Sequence, residues 1–582
     1  MPQNQTEHKV FQIGFNRCGT KYLTKIFESN GYISKHWEGG SLAEDIAYSK
    51  AAMIKPLLRW PDAVFFSDME SVHKPHRPPL FAFKEYKFLH RWFPEAIFIL
   101  NIRNVSDWIA SRFSHHGGQY KQFWAYHFDL DPSELPKIWQ KEWEEHITAV
   151  TEYFRGYEKF FVYDIDSNRP EELAENLQPW LELNRLPRVE ENIRKAVREK
   201  QRISVSQPNP ATRTKNFYPD EGFIESVSRH CIGNLDFSNQ AQTESVGSDI
   251  FGIWDGGDTI HGRDGTELPI KLGDDGLFHA KTDILKLDRT ESIVNEVIAL
   301  GLHGQIQIDM QDSRRYGTDQ GPHVNSPLIV YNRRQKTTNM ILWPLPGYHT
   351  LGQPHFVHSE SIDKMDFEDK SDRAVWRGNL SGRPNEVLAP TISERRGANV
   401  ILEHLAKIEE SDEEALINIR QELLGITRYN LVARCFMSSD IDALLTLSFK
   451  HLSVKKSPLL SLFCGKRVEL DWFFQSKYIL SLSGFDTGSN FLMAANSNSV
   501  VMKEEDGWEL FYTNEFKPWE HYIPLNEGAL DVEDKLDWAR ANPIKCKEMI
   551  KAAQNICAKF ANPVNRRDIL INTFEATQSD GG

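Results

Sequence analysis

Glycine-bearing turns that join a predicted strand to a predicted helix are the segments of this chain best suited to chemistry. The first such turn follows the apolar run 10–13 and leads into a helical pattern that stops at Gly31. Backbone N–H groups and the positive end of a helix bind anions at such a turn. An ATP-binding loop needs lysine directly after its second glycine, but here Thr20 comes first, so the turn predicts either a phosphate site that does not favour ATP or an ordinary strand–helix turn. The candidate ligands are Gly14, Asn16, Arg17, Cys18, Gly19, Thr20 and Lys21.

A second pair of candidate anion ligands follows the apolar run 96–102. Arg103 stands where this predicted strand ends, and Ser111 lies eight residues later on the predicted helix. A guanidinium group and a hydroxyl group in these positions can hold one phosphate together. The two segments therefore predict a nucleotide site with two separate phosphate contacts.

These two segments resemble the sulfotransferases that use 3′-phosphoadenosine 5′-phosphosulfate (PAPS). GFNRCGTK is similar to the 5′-phosphosulfate loop of that family and RNVSDWIAS to its 3′-phosphate site, and the resemblance covers about residues 8–220. It implies a P-loop domain with a parallel sheet, PAPS as the donor and 3′-phosphoadenosine 5′-phosphate (PAP) as the product. It also implies that Arg17 stabilises the leaving phosphate oxygen, while Gly19, Thr20 and Lys21 hold the 5′-phosphate.

The acceptor hydroxyl of a sulfonate transfer needs a general base, and the resemblance assigns that role to Asp68. A strand-like run leads into Ser-Asp-Met-Glu, in which Asp68 resembles the acidic residue that follows the corresponding strand in some bacterial relatives. Glu70 and His73 are the fallback candidates for the base. Arg213 and Lys215 are candidates for a loop that closes over the nucleotide.

Two further strand–turn segments lie in the C-terminal half of the chain. The run 374–378 ends in a polar turn with arginines, and the run 477–483 ends in a Gly/Ser turn before a helical pattern. Arginine side chains and helix N-termini suit a diphosphate, although each turn taken alone predicts only an ordinary loop. The candidate ligands are Arg377, Gly378, Ser381, Arg383, Gly484, Asp486, Ser489 and Asn490.

Together with NSVV at 498–501 and KPWEHYIP at 517–524, these turns resemble glycosyltransferase family 90 over about 300 residues. The family includes protein O-glucosyltransferases, fungal capsule xylosyltransferases and bacterial lipopolysaccharide-modifying enzymes. The resemblance implies a GT-B architecture of two Rossmann-like lobes, a UDP-sugar donor, inversion at the anomeric carbon and no metal ion. Many members carry arginine at the position of Asn490, so we expect Arg377 and Arg383 to neutralise more of the diphosphate charge.

Inversion requires a carboxylate that removes the proton of the acceptor hydroxyl. The segment QIQIDMQD at 305–312 resembles the family segment that ends in this carboxylate. We therefore expect Asp312 to be the base, with Asp309 as the fallback. His521 lies between aromatic residues and a proline, which predicts a packed structural histidine.

Composition and charge limit the class of protein. The chain has 582 residues, of which 40% are hydrophobic, and a net charge of -14, which disfavours nucleic acid and anionic membrane surfaces as partners. No apolar run of about 18 residues predicts a membrane-spanning helix, and the first residues lack the pattern of a signal peptide, so we expect a cytoplasmic protein. The six cysteines are scattered, which predicts reduced thiols rather than a disulfide framework or a zinc site.

Apolar runs that alternate with helical patterns predict an α/β fold with parallel sheets. Gly, Asp, Ser and Thr accumulate over 236–280, which predicts a linker or a small β insertion. The predicted organisation is a P-loop sulfotransferase-like domain at 1–235, this linker, and a GT-B glycosyltransferase domain of two lobes at 281–582.

The sequence thus predicts a bifunctional transferase that modifies a glycan or a lipid-linked saccharide. The C-terminal half would add a sugar from a UDP-sugar, and the N-terminal half would add sulfonate from PAPS, during assembly of a bacterial surface polysaccharide. Two alternatives stay open. The N-terminal half is either a binding module without turnover or a P-loop kinase that phosphorylates a sugar.

Overall fold

The computed structural model describes residues 8–74, 77–187, 218–236, 251–280, 287–312, 324, 326–345, 363–409 and 411–578. The chain forms two compact units. The first unit comprises Met1–Pro210 with Ile408–Leu416 and Thr446–Lys466, and the second comprises Ala211–Lys407, Ile417–Leu445 and Arg467–Gly582.

The first unit is built on a five-stranded sheet with the order β2-β3-β1-β6-β7, in which every neighbouring pair is parallel. The strands of this sheet are β1 (Val10–Gln12), β2 (Ser34–His36), β3 (Phe65–Ser67), β6 (Ile97–Ile102) and β7 (Phe160–Asp164). The unit also has a separate hairpin, formed by β4 (Glu70–Ser71) and β5 (Leu80–Phe81). Its helices are α1 (Thr20–Ser29), α2 (Ser41–Ala52), α3 (Tyr86–Trp92), α4 (Val105–Phe113), α5 (Gln119–Phe128), α6 (Leu135–Tyr153) and α7 (Pro170–Leu177).

Alternate residues along the strands of this sheet enter two different hydrophobic layers. Phe11 and Phe98 pack in one layer with Trp108, whereas Val10 and Ile97 pack in the other. A parallel sheet covered by helices on both faces needs strands that are apolar on both faces. This requirement explains why the central strands read as continuous apolar runs.

The second unit contains two larger sheets. One has the order β15-β13-β12-β8-β9, with β12, β13 and β15 parallel and β8 and β9 antiparallel to their neighbours; the other has the order β17-β16-β18-β19-β21 and is entirely parallel. The strands are β8 (Gly252–Trp254), β9 (Ile260–His261), β10 (Ile270–Leu272), β11 (Phe278–Ala280), β12 (Ile306–Ile308), β13 (Leu328–Val330), β14 (Arg333–Arg334), β15 (Met340–Leu342), β16 (Ser371–Gly378), β17 (Ile441–Leu445), β18 (Ser476–Ser481), β19 (Val500–Glu504), β20 (Trp508–Glu509) and β21 (Ile523–Leu525).

The remaining described helices follow in chain order. They are α8 (Glu221–Ile232), α9 (Leu287–Ala299), α10 (Ala398–Leu405), α11 (Glu413–Leu424), α12 (Thr427–Cys435), α13 (Leu470–Phe474), α14 (Phe491–Ala495), α15 (Val532–Ala541), α16 (Pro543–Phe560) and α17 (Pro563–Gln578). None of the helices in the described ranges is long and apolar enough to cross a membrane.

The α/β class with parallel sheets is confirmed, whereas the division of the chain differs in detail from the predicted one. Helix α8 lies within the predicted first domain, yet it packs in the second unit, where Phe223 contacts Phe560 at 4.9 Å between ring centroids and His230 Nε2 lies 2.9 Å from the carbonyl oxygen of Leu510. Within the predicted linker, β8 and β9 extend a sheet of the second unit. The P-loop and GT-B assignments stay predictions.

Candidate active sites

The turn after β1 is held in place by one buried side chain, Asn101 of β6. The N–H of Gly14 donates to Asn101 Oδ1 at 3.1 Å, and Asn101 Nδ2 donates to the carbonyl oxygens of Phe15 and Cys18 at 3.3 and 2.8 Å. A side chain at position 14 would place its Cβ 2.2 Å from the carbonyl oxygen of Asn101, so only glycine allows this approach. The turn is therefore preorganised before any ligand binds.

The two predicted anion segments of the first unit meet at Arg17. Its Nε donates to Ser111 Oγ at 3.1 Å, and Arg103 Nη1 donates to the carbonyl oxygen of Arg17 at 3.3 Å. Arg17 and Gly19 both have positive φ, at 65° and 77°, and the first turn of α1 begins directly afterwards with an exposed Lys21. The structure thus brings together the side chains that the sequence assigned to two ends of one nucleotide.

Two of the predicted ligands in this turn have their side chains turned into the core. Asn16 accepts from Arg112 Nε at 3.0 Å and donates to Glu70 Oε1 at 3.1 Å, while Arg112 Nη2 donates to Glu70 Oε2 at 2.9 Å. Cys18 is fully buried, and burial raises the pKa of its thiol. Asn16 and Cys18 therefore offer backbone groups only, and Glu70, the fallback base, belongs to a buried ion pair.

Asp68 is the carboxyl group of the first unit best suited to proton transfer. It follows β3 with φ of 54°, its side chain is 20% exposed, and Oδ2 lies 3.6 Å from His36 Nε2. Burial, with a smaller contribution from Glu70, raises the pKa of Asp68 to about 7. Burial lowers the pKa of His36 to about 4, so this imidazole is neutral at pH 7. No sequence motif points to His36, because it lies on a different strand, β2.

Of the remaining candidates in the first unit, the structure describes His73 but not Arg213 or Lys215. His73 packs edge-on against Trp37 at 5.2 Å between ring centroids. Arg213 and Lys215 lie outside the described residues.

In the second unit, the turns that follow the neighbouring parallel strands β16 and β18 touch each other. A Cβ at Gly382 would lie 2.9 Å from the carbonyl oxygen of Gly484, and a Cβ at Gly484 would lie 2.2 Å from Ser381 Oγ. Gly382 has φ of 111° as well. The glycines therefore let two turns close on one another at the carboxyl ends of the strands, which is where α/β sheets bind ligands.

The arginine at the centre of these turns is Arg428 of α12, which the sequence analysis missed because it lies about 45–55 residues from each turn. Its guanidinium group donates to the carbonyl oxygens of Ser483, Asn379 and Leu482 at 2.9, 3.0 and 3.0 Å. Arg428 therefore ties the two turns to each other.

Arg377, which the sequence placed at the diphosphate, lies instead in the interior. Its guanidinium group is 2.9 Å from Asp442 and stacks over Trp472 at 4.3 Å, with only 2% of the side chain exposed. Asn490 Nδ2 donates to the carbonyl oxygen of Leu480 at 2.8 Å. Among the other predicted ligands, Arg383 and Ser489 are exposed, and Gly378 ends β16.

Asp312 and Asp486 are joined by one tyrosine. Tyr331 Oη lies 3.0 Å from Asp312 Oδ1 and 2.8 Å from Asp486 Oδ2. Arg289 Nη1 donates to Asp312 Oδ1 at 2.8 Å, and Asn332 Nδ2 donates to Asp486 Oδ2 at 3.1 Å. The predicted base and a predicted donor ligand thus share one hydrogen-bonded cluster, which neither motif indicated alone.

The pKa shifts of Asp486 and Tyr331 give the two groups different protonation states near pH 7. Burial raises the pKa of Asp486 to about 6, with a further contribution from Asp312, while the hydrogen bond from Tyr331 acts in the opposite direction. Burial and both carboxylates raise the pKa of Tyr331 well above its ordinary value, so the phenol stays protonated. Asp309, the fallback base, is buried and accepts from Gln311 Nε2 at 2.7 Å.

Three further predictions concern His521, the cysteines and metal binding. His521 Nδ1 accepts from the N–H of Lys517 at 2.9 Å, and its ring is buried beside Phe516, as expected of a structural histidine. All six cysteines are free and buried. Within the described ranges, no group of three His, Cys, Asp or Glu side chains is placed to hold a metal ion, and the expectation of metal-free catalysis stays a prediction.

Comparison with known proteins assigns the C-terminal region to a family. Residues 309–562 match Glycosyl transferase family 90, so this region carries a family 90 glycosyltransferase domain. Protein O-glucosyltransferase 2 of Danio rerio is 29% identical over 137 residues, which are 23% of this chain and 25% of that protein. Protein O-glucosyltransferase 3 of Rattus norvegicus is 28% identical over 91 residues, 16% of this chain and 18% of that protein.

A viral relative extends over a longer segment. Uncharacterized protein 179R of Invertebrate iridescent virus 6 is 24% identical over 215 residues, 35% of this chain and 17% of that protein. The chain therefore spans at most a quarter of the length of these three relatives.

Proposed function

We propose that the second unit transfers a sugar from a UDP-sugar to a hydroxyl group of a glycan or lipid-linked saccharide, with inversion at the anomeric carbon. The observation that carries this proposal is the position of Asp312, inside the family 90 region and hydrogen-bonded to Arg289 and Tyr331. Arg289 donates to Asp312 Oδ1 and stabilises the ionised carboxylate, which is the form that accepts a proton.

The residues of the cluster divide the reaction between them. Asp312 removes the proton as the acceptor oxygen bonds to the anomeric carbon, and the bond from that carbon to UDP breaks with its electron pair leaving on the diphosphate. The exposed Arg383 and the N–H groups of the turn that follows Gly484 stabilise the charge that develops on UDP, while the N–H of Gly484 itself donates to the carbonyl oxygen of Asp486. Arg428 keeps the two turns closed by donating to the carbonyl oxygens of Ser483 and Asn379.

The test is UDP release by the purified full chain from a panel of UDP-sugars, with saccharide, lipid-linked and peptide hydroxyl acceptors in separate reactions. Asp312→Asn should lower kcat by about 10²–10⁴-fold, because it removes the general base and keeps the size of the side chain. Asp288→Asn, an exposed carboxylate at the start of α9, is the matched control and should retain full activity. An Asp312→Asn enzyme with wild-type kcat contradicts the proposal.

A second activity, sulfonate transfer from PAPS in the first unit, is favoured by one specific geometry. Arg17, Arg103 and Ser111 converge beside the N-terminus of α1, and the buried Nε of Arg103 has no hydrogen-bond partner among the described residues. An unpaired buried donor next to free helix N–H groups suits an anionic ligand. Asp68 is the proposed base of this reaction, since its pKa of about 7 matches proton transfer at neutral pH.

The test of this second activity is transfer of radiolabelled sulfonate from PAPS to saccharides by the full chain, with labelled ATP in parallel. Label from PAPS that disappears in Asp68→Asn supports sulfonate transfer. Label from ATP instead supports a sugar kinase, and binding of PAP without any transfer supports a binding module. We place both activities in the cytoplasm, which agrees with six free thiols in a reducing compartment.

A further inference from the structure

Tyr331 has one hydroxyl hydrogen and two carboxyl partners. Its Oη lies 3.0 Å from Asp312 Oδ1 and 2.8 Å from Asp486 Oδ2, and both distances are those of hydrogen bonds. A phenol donates a single hydrogen, so it cannot donate to two carboxylates at once. When both carboxyl groups are ionised, one of the two contacts is therefore a close approach of two oxygen lone pairs.

One additional proton removes this conflict. With a proton on either carboxyl group, that group donates to Tyr331 Oη and the tyrosine donates to the other carboxylate, which completes a continuous chain. The outer ends of the chain are already supported, because Arg289 donates to Asp312 and Asn332 donates to Asp486. The hydrogen-bond geometry is thus more favourable after a proton has arrived than before, and only such a difference accelerates a reaction.

We propose that Asp312, Tyr331 and Asp486 form a proton relay that takes the proton of the acceptor hydroxyl at Asp312 and stores it on Asp486. This proposal rests on the proposed function of the second unit. As the acceptor oxygen bonds to the anomeric carbon, its proton passes to Asp312, Asp312 donates a proton to Tyr331 Oη, and Tyr331 passes its own proton to Asp486. The electron pair of the broken glycosyl bond leaves with UDP, so charge and atoms balance. Tyr331 and Asp486 act through Asp312, which makes them positioning and relay residues.

The surroundings of Asp486 suit a store for one proton. Tyr331 and Asn332 reach it from the sheet that contains β13, Asp312 acts on it from the end of β12, and Arg428 from α12. Tyr512 also interacts with it electrostatically. Burial raises the pKa of Asp486 to about 6, so the group is mostly ionised at pH 7 and still able to accept a proton. The phenol of Tyr331 stays protonated over the same range.

The experiment is the pH dependence of kcat for UDP release by the full chain, with UDP-glucose as the donor and water as the acceptor. Wild-type kcat should fall below about pH 6, because an Asp486 that already carries a proton cannot accept another one from Tyr331. Tyr331→Phe should lower kcat by about 10–100-fold with KM unchanged. Asp486→Asn should lower kcat as well and move the acid limb to lower pH, because loss of the neighbouring negative charge makes Asp312 a weaker base.

The controls separate a relay from a structural role. Tyr478→Phe removes a hydroxyl group from a buried tyrosine of β18 outside the cluster and should leave the pH profile unchanged. Calorimetric binding of UDP by each variant shows that the site is folded, and Asp486→Glu should restore the acid limb. An active wild type whose Asp486→Asn variant keeps the wild-type pH profile overturns the relay alone. A wild type that neither binds UDP nor releases it from UDP-glucose overturns the proposed function and the relay together.

Discussion

The turn after β1 in the first unit and the paired turns after β16 and β18 in the second all contain glycine, but they use their arginines differently. Each site has glycines that permit close backbone approach and an aspartate whose pKa burial raises. In the first unit, Arg17 and Arg103 stand at the turn itself. In the second unit, Arg377 is paired with Asp442, and Arg428 donates to three carbonyl oxygens of the protein.

An arginine next to a glycine turn is therefore not by itself an anion ligand. Its hydrogen-bond donors are either available to a ligand or satisfied by the protein, and only the three-dimensional structure distinguishes the two cases. Arginines that stabilise the fold should affect stability when replaced, whereas arginines that face a ligand should affect affinity.

Arg112 should give the largest effect on stability. Arg112→Met leaves Glu70 buried without its partner, and such a change destabilises proteins by about 3–5 kcal/mol. Thermal unfolding of the full chain should show the loss, with UDP binding at low temperature retained. Arg155→Ala, which removes an exposed pair with Glu152, is the control and should change the melting temperature little. Equal melting temperatures for the two variants would contradict a structural role for Arg112.

Arg103 and Arg377 should then separate affinity from stability. Arg103→Ala should weaken PAP binding by about 10–100-fold with little change in melting temperature, because charge-assisted hydrogen bonds to a phosphate are lost. Arg377→Ala should lower the melting temperature, since Asp442 loses its partner, and leave the PAP affinity unchanged. Calorimetry and thermal unfolding measure both effects. An Arg103→Ala variant that lowers the melting temperature and keeps the wild-type PAP affinity would contradict the role of Arg103 as a phosphate ligand.

Asp68 should make stability depend on pH in a predictable direction. Its folded pKa of about 7 lies above the unfolded value of about 3.9, so the folded chain binds more protons between these values and wild-type stability falls as pH rises through this window. Asp68→Asn has no such loss of stability. The difference between its melting temperature and that of the wild type should therefore rise from about pH 4 to pH 7 and stay constant at higher pH. Asp486→Asn should show the same gain with a window that ends near pH 6. A constant difference across the range would refute the raised pKa values.

Arg383 should give the smallest effect. Arg383→Ala removes an exposed cation beside the turn at Gly382, and we expect UDP affinity to fall about 2–5-fold, as is usual for a solvent-screened charge. Arg395→Ala, in the same segment and paired with Glu386, is the control. Unchanged UDP affinity in Arg383→Ala would leave the turn N–H groups as the diphosphate ligands.

The sheets could be predicted because local pattern determines them. The apolar runs 10–13 and 96–102 overlap β1 and β6, since buried parallel strands are apolar on both faces. The sequence offers both Asn104 and Ser106 as caps for α4, and in the structure Asn104 accepts from the N–H groups of Ser106 and Asp107. Both residue types cap helices, and the backbone decides between them.

The sites could be predicted only in part, because they depend on contacts between distant segments. Arg17 and Ser111 meet across 94 positions, although the sequence assigned them to two different phosphate groups of one nucleotide. Tyr331 lies 155 positions from Asp486 and carries no motif, so no local pattern indicates the bridge that joins them. The sequence predicts Arg377 to be a phosphate ligand, because no acidic residue adjoins it in the chain. Asp442, which neutralises it in the structure, lies 65 positions away.

Calorimetric titration of the full chain with UDP and PAP, each alone and then in the presence of the other, tests most directly whether the chain has two independent donor sites. The account predicts one UDP and one PAP bound per chain, with each affinity unchanged by the other nucleotide and with Arg103→Ala losing PAP alone. Competition between the two nucleotides, or failure of either to bind, would contradict it.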